Sequence, residues 1–443
     1  MRSRNFLQLV FKEGRELLAS RAYWLLLLLI GPLVGHAFIT AINLYAEASG
    51  IGGGPAALAQ GLTPLDGILV PTFGAYDLAA TFFLPFVAIR LISAEKQNGG
   101  LKLLLQLPGS LGQKILAKAL VLLAGWLVTC LPAVLALVLW KSYGGHLYSP
   151  ETLNLLLGHF LRAMLSIGIA VTAASLAESA ASAAIVTLGL TVGGWALDFI
   201  AAGRGGWTQR LANYTPTAAL RSFEQGLVPL STTFVLSVLI ICAFVFAAIW
   251  LHTGRPFRKC LLLSLALLVA LTVLVLSAAT LRPSWDLSEN RRNSFAPADE
   301  AALHRIQAPL RITVILAPED PRLTDFEQNV LQKLRRNLAH FEVNYNAGSQ
   351  TGLFEGSEDH YGEIWYEMSG ERIMDRSTIE EVVLEQIYKL AKISSPSPSH
   401  KEEGAESGGY PLAARPKWAS AVFYYGWPVL IILSWWFIRR ERN

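Results

Sequence analysis

The sequence predicts a polytopic α-helical membrane protein of about eight spans carrying a small α/β thioredoxin-like extracytoplasmic domain. Three observations lead there. The chain of 443 residues is 53% hydrophobic and only 16% charged, where a soluble domain is about a quarter charged. Its apolar residues gather in runs long enough to cross a bilayer, which takes about 20 residues of helix. One block, 282–417, breaks that pattern and reads like an ordinary soluble domain with an excess of acid, while the remainder is basic.

The runs fall at roughly 22–45, 72–92, 116–140, 153–176, 181–200, 232–250, 260–280 and 418–438. The seventh, Cys260 to Thr280, and the eighth, Trp418 to Ile438, carry no charge. Trp418 and Trp436 near the ends of the last fit interfacial aromatic anchors. The first run is too long for a cleavable signal peptide, and its basic flank reads as a signal-anchor.

Lys and Arg placement sets the orientation. With the N-terminus in the cytoplasm, that side holds Arg2, Arg4, Lys12, Arg15 and Arg21, then Arg90, Lys96, Lys102, Lys114 and Lys118, then Arg255, Arg258 and Lys259, and last Arg439, Arg440 and Arg442. The opposite short loops hold only Lys141, Arg204, Arg210 and Arg221. Both termini are then cytoplasmic, and 282–417 is periplasmic if the membrane is a bacterial inner membrane. The basic balance belongs to the lipid bilayer, not to nucleic acid. Before the first span, residues 5–20 place Phe6, Leu7, Val10, Phe11, Leu17 and Leu18 near one helical face, with Lys12, Glu13, Arg15 and Glu16 elsewhere. That pattern predicts an amphipathic helix along the cytoplasmic interface, residues 1–21.

The outer block divides into a β-α-β-β-β-α order. Leu310–Leu316 and Phe341–Asn346 read as strands, and Glu363–Met368 and Arg372–Asp375 flank a Ser369-Gly370 hairpin signal. Helices are predicted over Thr324–His340 and Ser377–Ile393, each opening at capping-box spacing, Thr324 to Glu327 and Ser377 to Glu380. Residues 394–417 are rich in Ser, Pro, Gly and Glu and read as a flexible linker. The domain limits are thus 22–255 for six spans, 256–281 for the seventh, 282–393 for the outer domain, and 418–443 for the eighth span with its basic tail.

Several chemistries are excluded. No G-x-x-x-x-G-K-[ST] occurs, so the chain cradles no nucleotide phosphate of its own. No G-x-S-x-G and no His pair at i, i+4 occurs, so neither a nucleophile elbow nor a metal site is expected. Cys130, Cys242 and Cys260 sit in or beside apolar runs and form no redox motif. The chain is not expected to be an enzyme.

The informative stretch follows the second span: Glu95-Lys96, Gly99-Gly100, the Leu-rich Leu101–Leu107, Pro108, then Ala117-Lys118 entering the third span. In that order and spacing it resembles the type-two ABC exporter permeases. Ser175–Ser179, with Glu178, is similar to their cytoplasmic turn between spans four and five. Leu211–Pro216 through Gly226 is similar to their outer re-entrant segment. The resemblance covers about residues 1–255. It implies a coupling helix at 101–108 that docks in a groove of a separate cytoplasmic P-loop ABC ATPase through Leu103, Leu104 and Leu107. It further implies two permease units per complex, with ATP and Mg held by the partner and no cofactor by this chain. Where the family often has an acid, this chain has Lys102.

A second resemblance starts at Trp285. The string Asp286-Leu287-Ser288-Glu289-Asn290-Arg291, just after a span, is similar to the auxiliary subunit of gliding-motility-type ABC transporters. It implies a permease fused to its auxiliary domain, and a periplasmic partner for that domain. Inside the fourth span lie His159 and Arg162, with Asp198 near the outer end of the fifth. An Arg at that depth costs at least about 2.5 kcal/mol unless it is paired. Asp198 is the expected partner, and the three are candidates for a translocation path or its gate. A structural buried pair is the competing account of the same residues. The expected function is the transmembrane subunit of an ABC-type exporter complex. The alternative is a complex that uses ATP to signal to a periplasmic partner without moving a solute.

Overall fold

A computed structural model describes residues 2–48, 63–100, 110–201, 212, 215–252, 254–278, 280–281, 283–317, 320–346, 360–396 and 417–440. The chain divides into two compact units, one formed by Met1–Ala196, Pro216–Pro283 and Ser407–Asn443, the other by Leu197–Thr215 and Ser284–Glu406.

The first unit is helical. Helix α1 (Arg2–Ala19) precedes α2 (Arg21–Ala48), α3 (Leu65–Gln97), α4 (Leu111–Ser142), α5 (Ser149–Leu176), α6 (Ala180–Ala201), the short α7 (Pro216–Glu224), α8 (Leu230–Trp250) and α9 (Phe257–Ala278). The last helix, α14 (Ala419–Arg440), closes the unit. Eight of these helices, all but α1 and α7, are long and apolar enough to span a bilayer. They match the eight predicted runs and extend most of them at the ends. In α4 the helix breaks between Thr129 and Leu131, where Pro132 withholds a backbone N–H.

Packing follows the small residues. Helices α2, α3 and α5 form the centre, with α8 against α5 and α9 against α8. Helix α14 does not pair with α9 as a hairpin would; it lies on α2. An ideal Cβ on Gly31 would stand 2.0 Å from Trp427 Cδ1, and one on Gly35 2.2 Å from Phe423 Cβ. The two glycines, one helical turn apart, seat the two aromatic rings, which is the small-xxx-small contact of membrane helices. The Trp427 Nε1–H donates to the Leu27 carbonyl at 2.7 Å.

Helix α1 turns its faces the opposite way from a surface helix in water. Glu13 is fully buried while Leu7 and Phe11 are exposed. Its charges pack against the ends of α3 and α4, and part of its apolar stripe faces outward, the arrangement suited to a lipid boundary.

The second unit holds a four-stranded sheet of β1 (Leu310–Val314), β2 (Phe341–Tyr345), β3 (Ile364–Met368) and β4 (Glu371–Asp375), in the order β2-β1-β3-β4. Strands β1 and β2 are parallel, with Leu310 opposite Phe341; β1–β3 and β3–β4 are antiparallel. Ser369 and Gly370 both take positive φ (51° and 85°), the two-residue hairpin turn their sequence predicts. Alternate residues Leu310, Ile312 and Val314 of β1, with Ile364, Tyr366 and Met368 of β3, form the buried face. It is covered by Phe326, Val330 and Leu334, and by Val383 and Ile387 of α13 (Glu380–Ala391).

Both predicted capping boxes are corrected. The first helix begins earlier, as α11 (Pro321–Phe326), a π-helical turn Glu327–Leu331 and α12 (Gln332–Asn337), so Thr324 lies inside it. Asp320 serves the N-terminus instead, accepting from the Arg322 N–H at 2.9 Å. At α13 the cap position is Ile379, and the Ser377 hydroxyl accepts from Ile379 N at 3.2 Å. In each place a proline or a strand end set where the chain entered the helix, and side-chain spacing did not. A further helix, α10 (Pro297–Leu303), carries no signal that the sequence reading had used.

Candidate functional site

The end of α3 collects the charges. Glu95 is buried, yet two cations from other elements reach it. Lys118 of α4 lies 2.9 Å from its Oε2, and Lys12 of α1 contacts its Oε1. Lys118 also stands 2.7 Å from Glu13, and Lys12 is 3.0 Å from Glu16 and 3.2 Å from Glu13. Two ammonium groups thus alternate with three carboxylates, and α1, α3 and α4 are joined by them. Burial pushes the Glu13 carboxyl up from its ordinary value, opposed by Lys118. At Lys12 burial acts downward, but hydrogen bonds to Glu95 and Glu16 outweigh it and hold the ammonium above its ordinary value.

The carboxylates of Glu13, Glu16 and Glu95 come within 4.8 Å of one another, close enough for a metal ion. Lys12 and Lys118 already supply the positive charge among them, so the cluster is an ion-pair network.

Lys96, one residue on, points elsewhere. Its Nζ donates to the carbonyls of Ser175 (3.1 Å) and Ala177 (2.7 Å), the last of α5. Those carbonyls have no intrahelical donor, and a cation there also meets the negative end of the helix dipole. Glu178 follows in the turn to α6 and is exposed. Gly99, with φ +70°, ends α3 in the left-handed conformation that glycine adopts at low cost. Gly100 follows it. Of the predicted contact residues, the structure therefore describes Glu95, Lys96, Gly99, Gly100 and Glu178. Leu101, Leu103, Leu104, Leu107 and Pro108 lie outside the described residues.

A second polar cluster sits within the spans. Arg162 Nε of α5 is 2.8 Å from Asp77 Oδ2 of α3, and its NH1 donates to Thr217 Oγ1 of α7 at 3.1 Å. His159 stacks on Phe73, centroids 5.2 Å apart, with its Nδ1 3.9 Å from Asp77 Oδ1. Asp77 thus holds the position at Arg162 that the sequence reading gave to Asp198. Asp198 is buried and belongs to the other unit. Helix α7 is pinned to α5 twice more. Asn154 Nδ2 donates to the Phe223 and Leu227 carbonyls (3.0 and 3.2 Å), and a Cβ on Gly158 would meet Phe223 at 2.5 Å.

In the second unit, the Asp286 motif folds as a turn held by its own side chains. Asp286 Oδ1 accepts from Ser288 N (3.0 Å) and from the Ser288 hydroxyl, and Oδ2 accepts from Ser294 Oγ (2.8 Å). Asn290 and Arg291 take φ of 57° and 50°, and Arg291 pairs with Glu300 at 2.9 Å. Leu287 stays partly exposed, and Glu289 opens the helical turn that Asn290 interrupts. Phe295, just after, enters the core. The motif thus starts the domain by conformation.

Sequence reading missed Asp77, Glu13 and Lys12 as site members, and it placed Lys118 in the motif without its partners. Glu13 and Lys12 were assigned to a polar face of α1, and no spacing rule links residue 13 to residue 118. An acid within the second span, Asp77, was the one signal that could have been used.

Residues 7–197 match the family described as ABC-2 family transporter protein. No curated protein and no solved structure matches the chain. The matched stretch runs from α1 through the first five spans. It carries the first polar cluster and, of the second, Asp77, His159 and Arg162, and it is similar to that family's permease domain.

Proposed function

We propose that the chain is the transmembrane subunit of an ABC exporter complex, driven by a separate cytoplasmic ATPase that docks on residues 95–108 and beside Glu178. The observation that carries this reading is the convergence at the end of α3. Glu95 ties α1 and α4 to it, and Lys96 ties the end of α5 to it. A push on the loop that follows α3 would therefore be felt by four helices at once. A binding loop for a nucleotide-driven partner needs that property, since closure of the ATPase pair can bias the bundle only through groups that differ between its two states. In this reading the termini are cytoplasmic, the membrane is the bacterial inner membrane, and two permease units assemble around the path. The Arg162, Asp77 and His159 cluster ties the outer α7 to α3 and α5 near that path.

The strand order β2-β1-β3-β4, with one parallel and two antiparallel pairs, supports the thioredoxin-like reading of the outer domain. The fused outer domain also favours a second reading, in which ATP drives a conformational signal to a periplasmic partner.

The test is purification of the tagged chain from its native membrane. A P-loop ATPase with Mg-dependent turnover should accompany it and be lost from the Leu103→Glu, Leu104→Glu variant. A wild-type preparation free of any ATPase would sink the proposal. Reconstituted vesicles then separate the two readings: ATP-dependent flux supports export, and turnover coupled only to a periplasmic protein supports signalling.

A further inference from the structure

The acid-base pair at the end of α3 divides its labour. Glu95 faces α1 and α4, whereas Lys96 reaches the last turn of α5 and makes two hydrogen bonds there, to carbonyls 79 and 81 residues further along the chain. Ala177, the residue that ends α5, leaves the helix in extended conformation (φ −71°, ψ 146°), so its carbonyl is free of the helix and accepts the shorter of the two bonds. The same turn is fastened from behind: Thr172 Oγ1 donates to the Ala243 carbonyl of α8 at 2.9 Å, and Ser175 Oγ donates to the Thr172 carbonyl at 2.7 Å. Lys96 therefore links the end of α3 to the fastened end of α5. On one side of it, Gly99 ends α3 in the left-handed conformation. On the other, one residue past Ala177, stands the exposed Glu178.

We propose that Lys96 is a positioning residue, whose ammonium fixes the end of α3 and the turn after α5 as one unit, so that both respond together to the ATPase. The inference rests on the docking reading above and gives one of its residues a role that touches no nucleotide. A cation is suited to the task because it serves two carbonyls with one group and is favoured by the dipole at the end of α5. Arginine could serve the same pair of acceptors through its fork of donors; methionine fills similar space and donates nothing.

Two measurements test this on the full-length chain in lipid nanodiscs. In the first, without ATPase, hydrogen exchange of the amides over 177–183 should quicken about tenfold or more in Lys96→Met and return to the wild-type rate in Lys96→Arg. In the second, the tagged variants are purified with the P-loop ATPase that accompanies the wild type. Per ATPase retained, Lys96→Met should turn ATP over about tenfold more slowly, and Lys96→Arg should recover to within about twofold. Unchanged exchange in Lys96→Met overturns the clamp. An ATPase that stays bound and turns over at the wild-type rate overturns the coupling role while leaving the docking reading intact. A wild-type chain that brings no ATPase overturns the docking reading and the coupling role together, and the exchange measurement still decides the clamp.

Discussion

Lys118 of α4 holds Glu13 of α1 at 2.7 Å, and Glu13 is fully buried. This single pair decides which way the first helix faces. Removing one partner of a buried ion pair leaves the other charge without solvent or counter-charge, at a cost of about 3–5 kcal/mol. Lys118→Met strands Glu13 and also takes a cation from Glu95. It should lower the stability of the detergent-solubilised protein by about that amount. Combining it with Glu13→Gln should restore part of the loss, and a single variant as stable as the wild type would refute the network's role.

The seat of α14 on α2 makes a second prediction. Leucine at Gly35 would drive side-chain atoms into Phe423, whose Cβ stands only 2.2 Å from an ideal Cβ there. His36 Nδ1 and Tyr424 Oη are 3.2 Å apart across the same contact. Cysteines at positions 36 and 424 should therefore be joined by a bifunctional thiol reagent long enough to replace the two side chains, since a direct disulfide needs closer Cβ atoms, and Gly35→Leu should abolish that cross-link. Persistent cross-linking would show that the glycine seat is not needed.

Arg162 and Asp77 should be unequal to their double variant. Arg162→Met leaves the Asp77 carboxylate uncompensated among the spans, and the expected loss is again about 3–5 kcal/mol. Asp77→Asn together with Arg162→Gln removes both charges and should recover most of it. Thermal unfolding of the single and the double variant reads the coupling directly. If the single and double variants lose equally, the pair is not the anchor of α7.

In the α/β unit, the Arg322 side chain, with help from the Tyr361 hydroxyl, holds the Asp320 carboxyl at about 2, against an ordinary 3.8. The folded value lies below the unfolded one, so folding favours the ionised form. The stabilisation is complete above the ordinary value and is lost as the pH falls from there through about 2. Hydrogen exchange near 320–323 in the intact protein should rise across that acid window. Asp320→Asn should remove the part of the rise that the carboxylate contributes, and identical profiles would discard the assignment.

Much of the scaffold could be read from composition and period. The eight spans announce themselves because a bilayer demands about 20 apolar residues whatever they pack against. The strands of the outer sheet announce themselves by alternation, and the Ser369-Gly370 turn by the backbone it needs. The site was legible only in its local parts. Glu95, Lys96 and Gly99 stand together in the sequence, so their motif could be seen, but that Glu95 pairs with Lys12 and Lys118, and Lys96 with Ala177, could not. The helix starts at Asp320 and Ile379 were misplaced because Ser/Thr-to-Glu spacing also occurs where no cap forms.

By itself, then, the sequence determined that this chain lives in a membrane, how many times it can cross, and that an α/β segment lies between its last two spans. Those follow from hydrophobicity and periodicity, which are properties of contiguous residues. Tertiary structure decided that α1 turns its charges inward, that Asp77 answers Arg162, and that the last span rests on the first through Gly31 and Gly35. Each of these depends on which faces meet across a long stretch of chain. A buried charge or a bare glycine has no meaning until its neighbour is known.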